Sequence, residues 1–258
     1  MADDKNFITY NQQMRKLRND KHINCSGSKD KRILIRMGYF NIVNGYKSPF
    51  TCGTDITGAH VYLPDTSLEH LYNLKKFDDE LRLFLLKYIT QIEEEVRTLT
   101  GYKFDQCNND GKIPWYDANG KPNIKLLIGS LHWMRKIRNS CAHNERIFCM
   151  HQSQNSLQRN SGRIIEKYIM ALRPSYSKNS DKRIFDLLIY FKYYLPDKEF
   201  QNMIEEFQKM LTNLQNSIPA NAFDNIRGQM GIKSLSDLEA LKSLYKTPIL
   251  YNNFDIST

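Results

Sequence analysis

Arg138, Asn139 and His143 stand together in the hexapeptide Arg-Asn-Ser-Cys-Ala-His. These residue types can do one chemistry without a metal, the cutting of RNA. A histidine moves protons near neutral pH. An arginine braces a phosphate through a planar fork of donors. An adjacent amide can orient either group. An Arg followed by four to six residues and a His occurs three times, at Arg138/His143, Arg146/His151 and Arg15/His22. With 37 basic residues and 6 histidines, chance supplies some of these, so placement has to separate them.

On a helical wheel of ~100° per residue, Ile124, Leu127, Ile128, Leu131, Met134, Ile137 and Cys141 fill one arc. Arg138 falls inside that arc. His132, Arg135, Asn139, His143 and Arg146 line its edge, so Asn139 and His143 share a face. A charge at a core-facing position needs a partner or a purpose. The spacing therefore predicts a largely buried Arg138 that meets a carboxylate. Arg146/His151 runs into a polar stretch, and Arg15/His22 ends a short basic helix. A bland reading stays open beside this one. Arg138 is then only a paired core arginine, and His143 only a helix cap favoured by the dipole.

The chain of 258 residues can bury a sizeable core. Its hydrophobic content of 41% and mean hydropathy of -0.58 read as an ordinary soluble protein. Glycine (12) and proline (8) are sparse, which favours helices. No apolar run reaches a membrane span, and the start, Met-Ala-Asp-Asp-Lys, shows no signal peptide. Five cysteines without a Cys-x-x-Cys pair argue against a disulfide framework and for a reducing cytoplasm. Cys141, His143, Cys149 and His151 do not resemble the usual zinc-finger spacings. No metal and no cofactor is expected. A net charge of +9 with pI ≈ 9.2 suits an acidic partner, nucleic acid above all. Fifteen tyrosines can help by stacking on bases.

The patterns predict a mainly helical, all-α protein. Helices are expected at 7–22 and 29–44, then a loop at 45–64 with room for a hairpin. Thr66 and Glu69 form a capping box for a helix that can run to Thr100 and stop at Gly101. Its apolar face changes phase near 75–79, which predicts a kink. A polar loop over 101–122 leads to a helix at 123–143. Beyond it come a loop at 151–162, a helix at 163–172 broken by Pro174, helices at 182–195 and 198–217, a tail loosened by Pro219 and Gly228, and a short helix at 236–244. The helices at 77–100 and 123–143 are expected to pack antiparallel at the centre.

Four segments together resemble a known family. They are Asn44–Phe50 (Asn-Gly-Tyr-Lys-Ser-Pro-Phe), Phe77–Arg82 (Phe-Asp-Asp-Glu-Leu-Arg), Ile92–Arg97 (Ile-Glu-Glu-Glu-Val-Arg) and Ile137–Asn144 (Ile-Arg-Asn-Ser-Cys-Ala-His-Asn). In order and spacing they are similar to the bacterial abortive-infection (Abi-like) proteins of the HEPN superfamily. The resemblance covers about residues 7–235. It implies a HEPN-like helical bundle, with an N-terminal helical part over about 1–64, a core over about 65–172 and C-terminal helices over about 182–258, all within one domain 1–258. It implies a metal-independent endoribonuclease in which His143 moves protons, Arg138 stabilises the phosphorane and Asn139 orients one of them. The acidic residue of the family's helix matches Glu93, which the wheel does not choose over Glu95. The resemblance also implies a homodimer with a composite site and, in some relatives, an inhibiting antitoxin RNA or protein. Arg135 and Arg146, on the polar stripe, are candidates for RNA binding. The alternative is a HEPN module that binds RNA or protein without cutting.

Overall fold

The computed structural model describes residues 8–109, 124–151 and 182–243. These residues are mostly helical, as the sparse glycine and proline suggest, with a two-stranded sheet as the β element among them. Two compact units divide the chain. Unit 1 takes 1–80 and 210–226, and unit 2 takes 81–209 and 227–258.

Unit 1 begins with α1 (Tyr10–Lys21), capped by Thr9 and Gln12 in a reciprocal capping box. Helix α2 (Gly27–Met37) follows. The single helix expected at 29–44 is interrupted at Gly38, where φ is 75°, and a π-helical turn (Phe40–Asn44) continues beyond it. A positive φ of this kind strains a residue with a Cβ, so glycine ends the helix there. The hairpin β1 (Thr51–Thr54) and β2 (His60–Tyr62) occupies the expected loop. The returning 210–226 segment is tied in by the Asn73 side-chain amide donating to the Ser217 carbonyl at 3.0 Å and that of Asn225 donating to Pro49 at 2.8 Å.

Helix α3 (Leu68–Asn109, 42 residues) carries no break. Leu68, Leu71, Leu74, Phe77, Leu81, Phe84, Leu85, Tyr88, Ile89 and Ile92 are all buried and recur at helical spacing. The phase change expected near 75–79 is absent because polar residues complete the stripe. Asp78 is 0% exposed and Arg82 only 7%. Gly101 does not end the helix either, so the loop expected at 101–122 is helical as far as Asn109.

The cap of α3 also differs from expectation. Ser67, not Thr66, caps it. The His70 N–H donates to Ser67 Oγ at 3.2 Å, and the Ser67 N–H donates to His70 Nδ1 at 3.2 Å. Thr66 turns back to the Leu63 carbonyl, and Glu69 pairs with Lys29.

Unit 2 encloses α5 (Ile184–Tyr194), reached after α4 (Ile124–Ala142). Residues 184–192 are all buried, Asp186 and Lys192 among them, and a helix covered on every side belongs inside a core. The expectation had put α3 and α4 at the centre; α5 is the enclosed helix. Helix α6 (Asp197–Gln215) meets α3 through Phe84 stacked on Phe207, Tyr88 bonded to Glu206 and Gln91 bonded to Glu199. These pairs run in opposite chain directions. Helix α7 (Ala220–Gln229) occupies the stretch expected as a loosened tail, and α8 (Ser236–Ser243) closes the described chain. The loop at 152–162, the helix at 163–172 and the Pro174 break lie outside the described residues. No described helix is long and apolar enough to cross a membrane.

His70 supplies the test of the α3 cap. Burial lowers its pKa below 6.5, with Glu69 and Asp65 acting in the opposite direction. A folded pKa below the unfolded one gives stability that is present above 6.5 and is lost as pH falls through the folded value. Protonation also removes Nδ1 as the acceptor of the cap. His70→Gln keeps a cap acceptor without a titrating ring. Chemical denaturation at pH 7.5 and 5.5 should show wild type losing more stability than His70→Gln; parallel losses would exclude this role.

Candidate functional site

All residues of the candidate site lie in unit 2. The site is built on the C-terminus of α4, whose last carbonyls need donors from outside the helix. The chain supplies them by a Schellman turn. Asn144 adopts φ 57°. Its N–H donates to the Cys141 carbonyl at 3.2 Å, and the Glu145 N–H donates to the Ser140 carbonyl at 3.0 Å. An apolar contact usually joins the two outer positions of such a turn. Here the Ser140 hydroxyl donates to the Glu145 carboxylate at 2.5 Å instead. Arg82, from α3, donates through Nη1 to the Glu145 carbonyl at 2.9 Å. Ile147 and Phe148 then enter the core, both fully buried. The turn is thus held from three directions, and His143 is the residue between the helix and the left-handed Asn144.

Arg138 lies on the preceding turn. Its Nη1 donates to Glu93 Oε2 at 2.9 Å. Its Nη2 donates to Asn139 Oδ1 at 3.1 Å, with a weaker approach of Nε at 3.4 Å. Of the neighbouring glutamates, Glu94 and Glu95 are exposed, and Glu93 is the one on Arg138. The links Glu93–Arg138 and Arg82–Glu145 run in opposite chain directions, so this part of α3 lies antiparallel to α4.

Arg138 is not largely buried, and this corrects the expectation. Its side chain is 37% exposed and that of Glu93 20%. The buried face of α4 holds Ser130, Trp133, Met134, Ile137 and Ser140. It is rotated by roughly a fifth of a turn from the apolar arc, at ~100° per residue. Ile128, inside that arc, is 61% exposed, while Leu131 and Cys141 are half-buried. The side chains of Ile124 and Leu127 lie outside the described residues. The rotation has a visible cause. Trp133 is the largest apolar group on the helix, and Ser130 bonds Tyr194 of α5 through the hydroxyls at 2.6 Å. Small residues and one large ring define the packed side, and Arg138 moves to its margin.

An ion pair with this exposure contributes only ~0–1 kcal/mol. Its effect is to orient. All three guanidinium nitrogens meet Glu93 or Asn139, Nε only weakly, and the side chain still meets solvent. A braced guanidinium of this kind can receive a phosphate.

His143 is exposed. Its backbone N–H donates to the Asn139 carbonyl at 2.9 Å, which stacks the two residues one turn apart. Its ring makes no hydrogen bond within the described residues, so Arg138, Asn139 and Glu93 are joined while His143 stands one turn away. Asn139 is exposed too. Arg135 is exposed, with Nη2 at 3.2 Å from His132 Nδ1, and Arg146 is exposed just past the Schellman turn. Cys141, His143, Cys149 and His151 do not converge. Among the described residues, no group of three His, Cys, Asp or Glu side chains could hold a metal.

The wheel missed Arg82, Ser140 and Glu145. Arg82 carried a signal, because a charged residue sits in phase with the leucines of α3. Asn144 carried another, since asparagine tolerates the left-handed turn that ends a helix.

Residues 32–125 match the family model described as Abi-like protein, a little over a third of the chain. The match takes in Phe77–Arg82 and Glu93 and ends before Arg138. No curated protein and no solved structure matches the chain.

Arg82→Ala should cost about 2–3 kcal/mol, the worth of a part-buried hydrogen bond to a charged donor. Urea unfolding followed by circular dichroism reads the cost. A change below a few tenths of a kcal/mol would remove Arg82 from the support of the turn.

Proposed function

We propose that the chain is an abortive-infection protein of the HEPN type, a metal-independent endoribonuclease that halts growth after phage infection. The likeness of residues 32–125 to Abi-like proteins supports the defence role. One observation carries the chemistry: Arg138 is braced by Glu93 and Asn139 one helical turn before an exposed His143.

In this reading a ribose 2′-oxygen bonds to the neighbouring phosphorus as the bond to the 5′-oxygen breaks. A proton leaves the 2′-hydroxyl, and one is delivered to the 5′-oxygen. His143 handles one transfer, and His143 of the partner subunit in a homodimer handles the other. Charge builds on the phosphorane oxygens, where the Arg138 guanidinium stabilises it through paired donors. Glu93 and Asn139 hold the guanidinium plane and do not touch the reacting atoms. Arg135 and Arg146 draw the strand in by contacts to phosphate. An antitoxin RNA or protein would restrain the activity, and the site of action is the cytoplasm.

The Glu93 pair also favours a second reading. An arginine already matched to a carboxylate suits a module that binds RNA or protein without cutting.

His143→Ala separates the two. Its ring is exposed, so the variant should fold and bind RNA nearly as wild type while cleavage falls about 10²–10⁴-fold. Arg138→Ala should also lose cleavage. Wild-type cleavage should persist in EDTA and leave a 2′,3′-cyclic phosphate, read by mass spectrometry of the fragments. Cleavage stopped by chelation, or His143→Ala cutting as fast as wild type, would overturn the nuclease reading.

A further inference from the structure

A histidine that moves protons is ordinarily aimed by a third group on its other ring nitrogen. His143 is not aimed in that way, because its ring makes no hydrogen bond within the described residues. The task falls to the backbone. A side chain leaves its Cα in a direction that the backbone sets, so whatever fixes residues 143–145 fixes where the ring starts.

Glu145 is tethered at three points. Its N–H donates to the Ser140 carbonyl at 3.0 Å, its carbonyl accepts from Arg82 Nη1 at 2.9 Å, and its carboxylate accepts from the Ser140 hydroxyl at 2.5 Å. On the other side, the His143 N–H is held by the Asn139 carbonyl at 2.9 Å. His143 is pinned between these two anchored points.

The kind of tether matters. A Schellman turn is ordinarily closed by an apolar contact. Such a contact is non-directional, whereas a hydrogen bond holds to a narrow range of distance and angle. Stability alone would be served by an apolar pair. Two side-chain bonds onto Glu145 set a geometry instead. The same helix α3 that supplies Arg82 supplies Glu93, the partner of Arg138, about three turns further on. One helix thus governs both groups, the guanidinium through Glu93 and the imidazole through Arg82.

We propose that Arg82, Ser140 and Glu145 are positioning residues for His143: they lock the turn after α4 and so keep the imidazole in reach of the phosphate that Arg138 binds. Contact with RNA does not explain them. Ser140 is 6% exposed and Arg82 7%, so neither is open to a strand, and Glu145 carries the wrong charge for one. Their effect runs through His143.

The proposal rests on the nuclease reading above. Ser140→Ala in the full chain is the first variant. Alanine fits the same space, and the freed Glu145 is exposed to water, so the fold is kept. On a short unmodified RNA carrying a fluorophore and a quencher, kcat should fall about 10–100-fold with KM unchanged, as it does when a reacting group is displaced. Affinity for a 2′-O-methyl RNA should match wild type. Hydrogen exchange at the Asn144 and Glu145 amides, followed by NMR, should quicken about tenfold. Glu145→Ala should behave like Ser140→Ala. Glu145→Gln keeps an acceptor for the Ser140 hydroxyl and should keep most of the rate. Arg82→Ala, assayed where circular dichroism shows it folded, should lose kcat to a similar degree. Leu238→Val, in the buried face of α8, weakens the core without touching the turn and should leave kcat as it is.

Ser140→Ala and Glu145→Ala cutting as wild type would refute the positioning role and leave the nuclease reading standing. So would a raised KM at unchanged kcat, or a lost rate with the Asn144 and Glu145 amides still protected. An equal loss in Leu238→Val would make the effect general destabilisation and refute the role too. Wild type that leaves RNA uncut overturns the nuclease reading, and the positioning role falls with it.

Discussion

A helix that ends against a core must find donors for carbonyls that its own turns leave unsatisfied. Helix α4 meets this demand in a way that organises everything near it. Asn144 turns left-handed, two backbone N–H groups fold back, and Arg82 reaches over from α3 to the next carbonyl. That guanidinium lies in the buried stripe of α3, so the same contact that closes α4 also fixes its position along α3. Arg138 then falls beside Glu93. A weak, half-exposed ion pair could not position a helix by itself. Here it only sets the plane of a side chain whose backbone is already held.

Much of the fold was legible in the sequence. Helices α1, α4, α5, α6 and α8 and the place of the hairpin follow from periodicity and from breaks at Gly and Pro. The misread faces of α3 and α4 share a cause, which is the reading of each residue by its own polarity. Asp78 and Arg82 looked like a fault in the stripe of α3, yet Tyr46 bonds the buried Asp78 at 3.0 Å and Arg82 finds a carbonyl. In α4, Ser130 and Ser140 were left out of the apolar arc and are core, while Ile128 was placed in it and is exposed. Polar atoms that find partners in the interior are invisible to a hydropathy wheel. The candidate site suffered less. The wheel called for a carboxylate on Arg138, the family resemblance pointed to Glu93, and the distance between them is 2.9 Å. The burial of Arg138 was misjudged, since it followed from the wrong face.

Charge is unevenly placed along the chain. In unit 1 basic residues crowd onto α1 and α2 with few acids among them. In unit 2 Arg138 is matched by Glu93, Lys87 by Glu206 and Lys242 by Glu205, and in unit 1 Lys29 is matched by Glu69 and Lys75 by Asp79. Matched charges orient side chains. Crowded ones raise the local potential and attract polyanions over a Debye length of ~8–10 Å.

The pairing of α3 with α6 has a temporal side. Gln91 waits for Glu199, 108 positions later, and Tyr88 for Glu206, 118 positions later. At synthesis rates of about 5–20 residues per second, α3 leaves the ribosome roughly 5–25 seconds before that partner exists. Through that interval its long row of leucines, isoleucines and aromatics has no α6 to cover it. A growing chain in this state is a client for whatever shields apolar helices during translation. An end-truncated product lacking α6 would keep that exposure permanently.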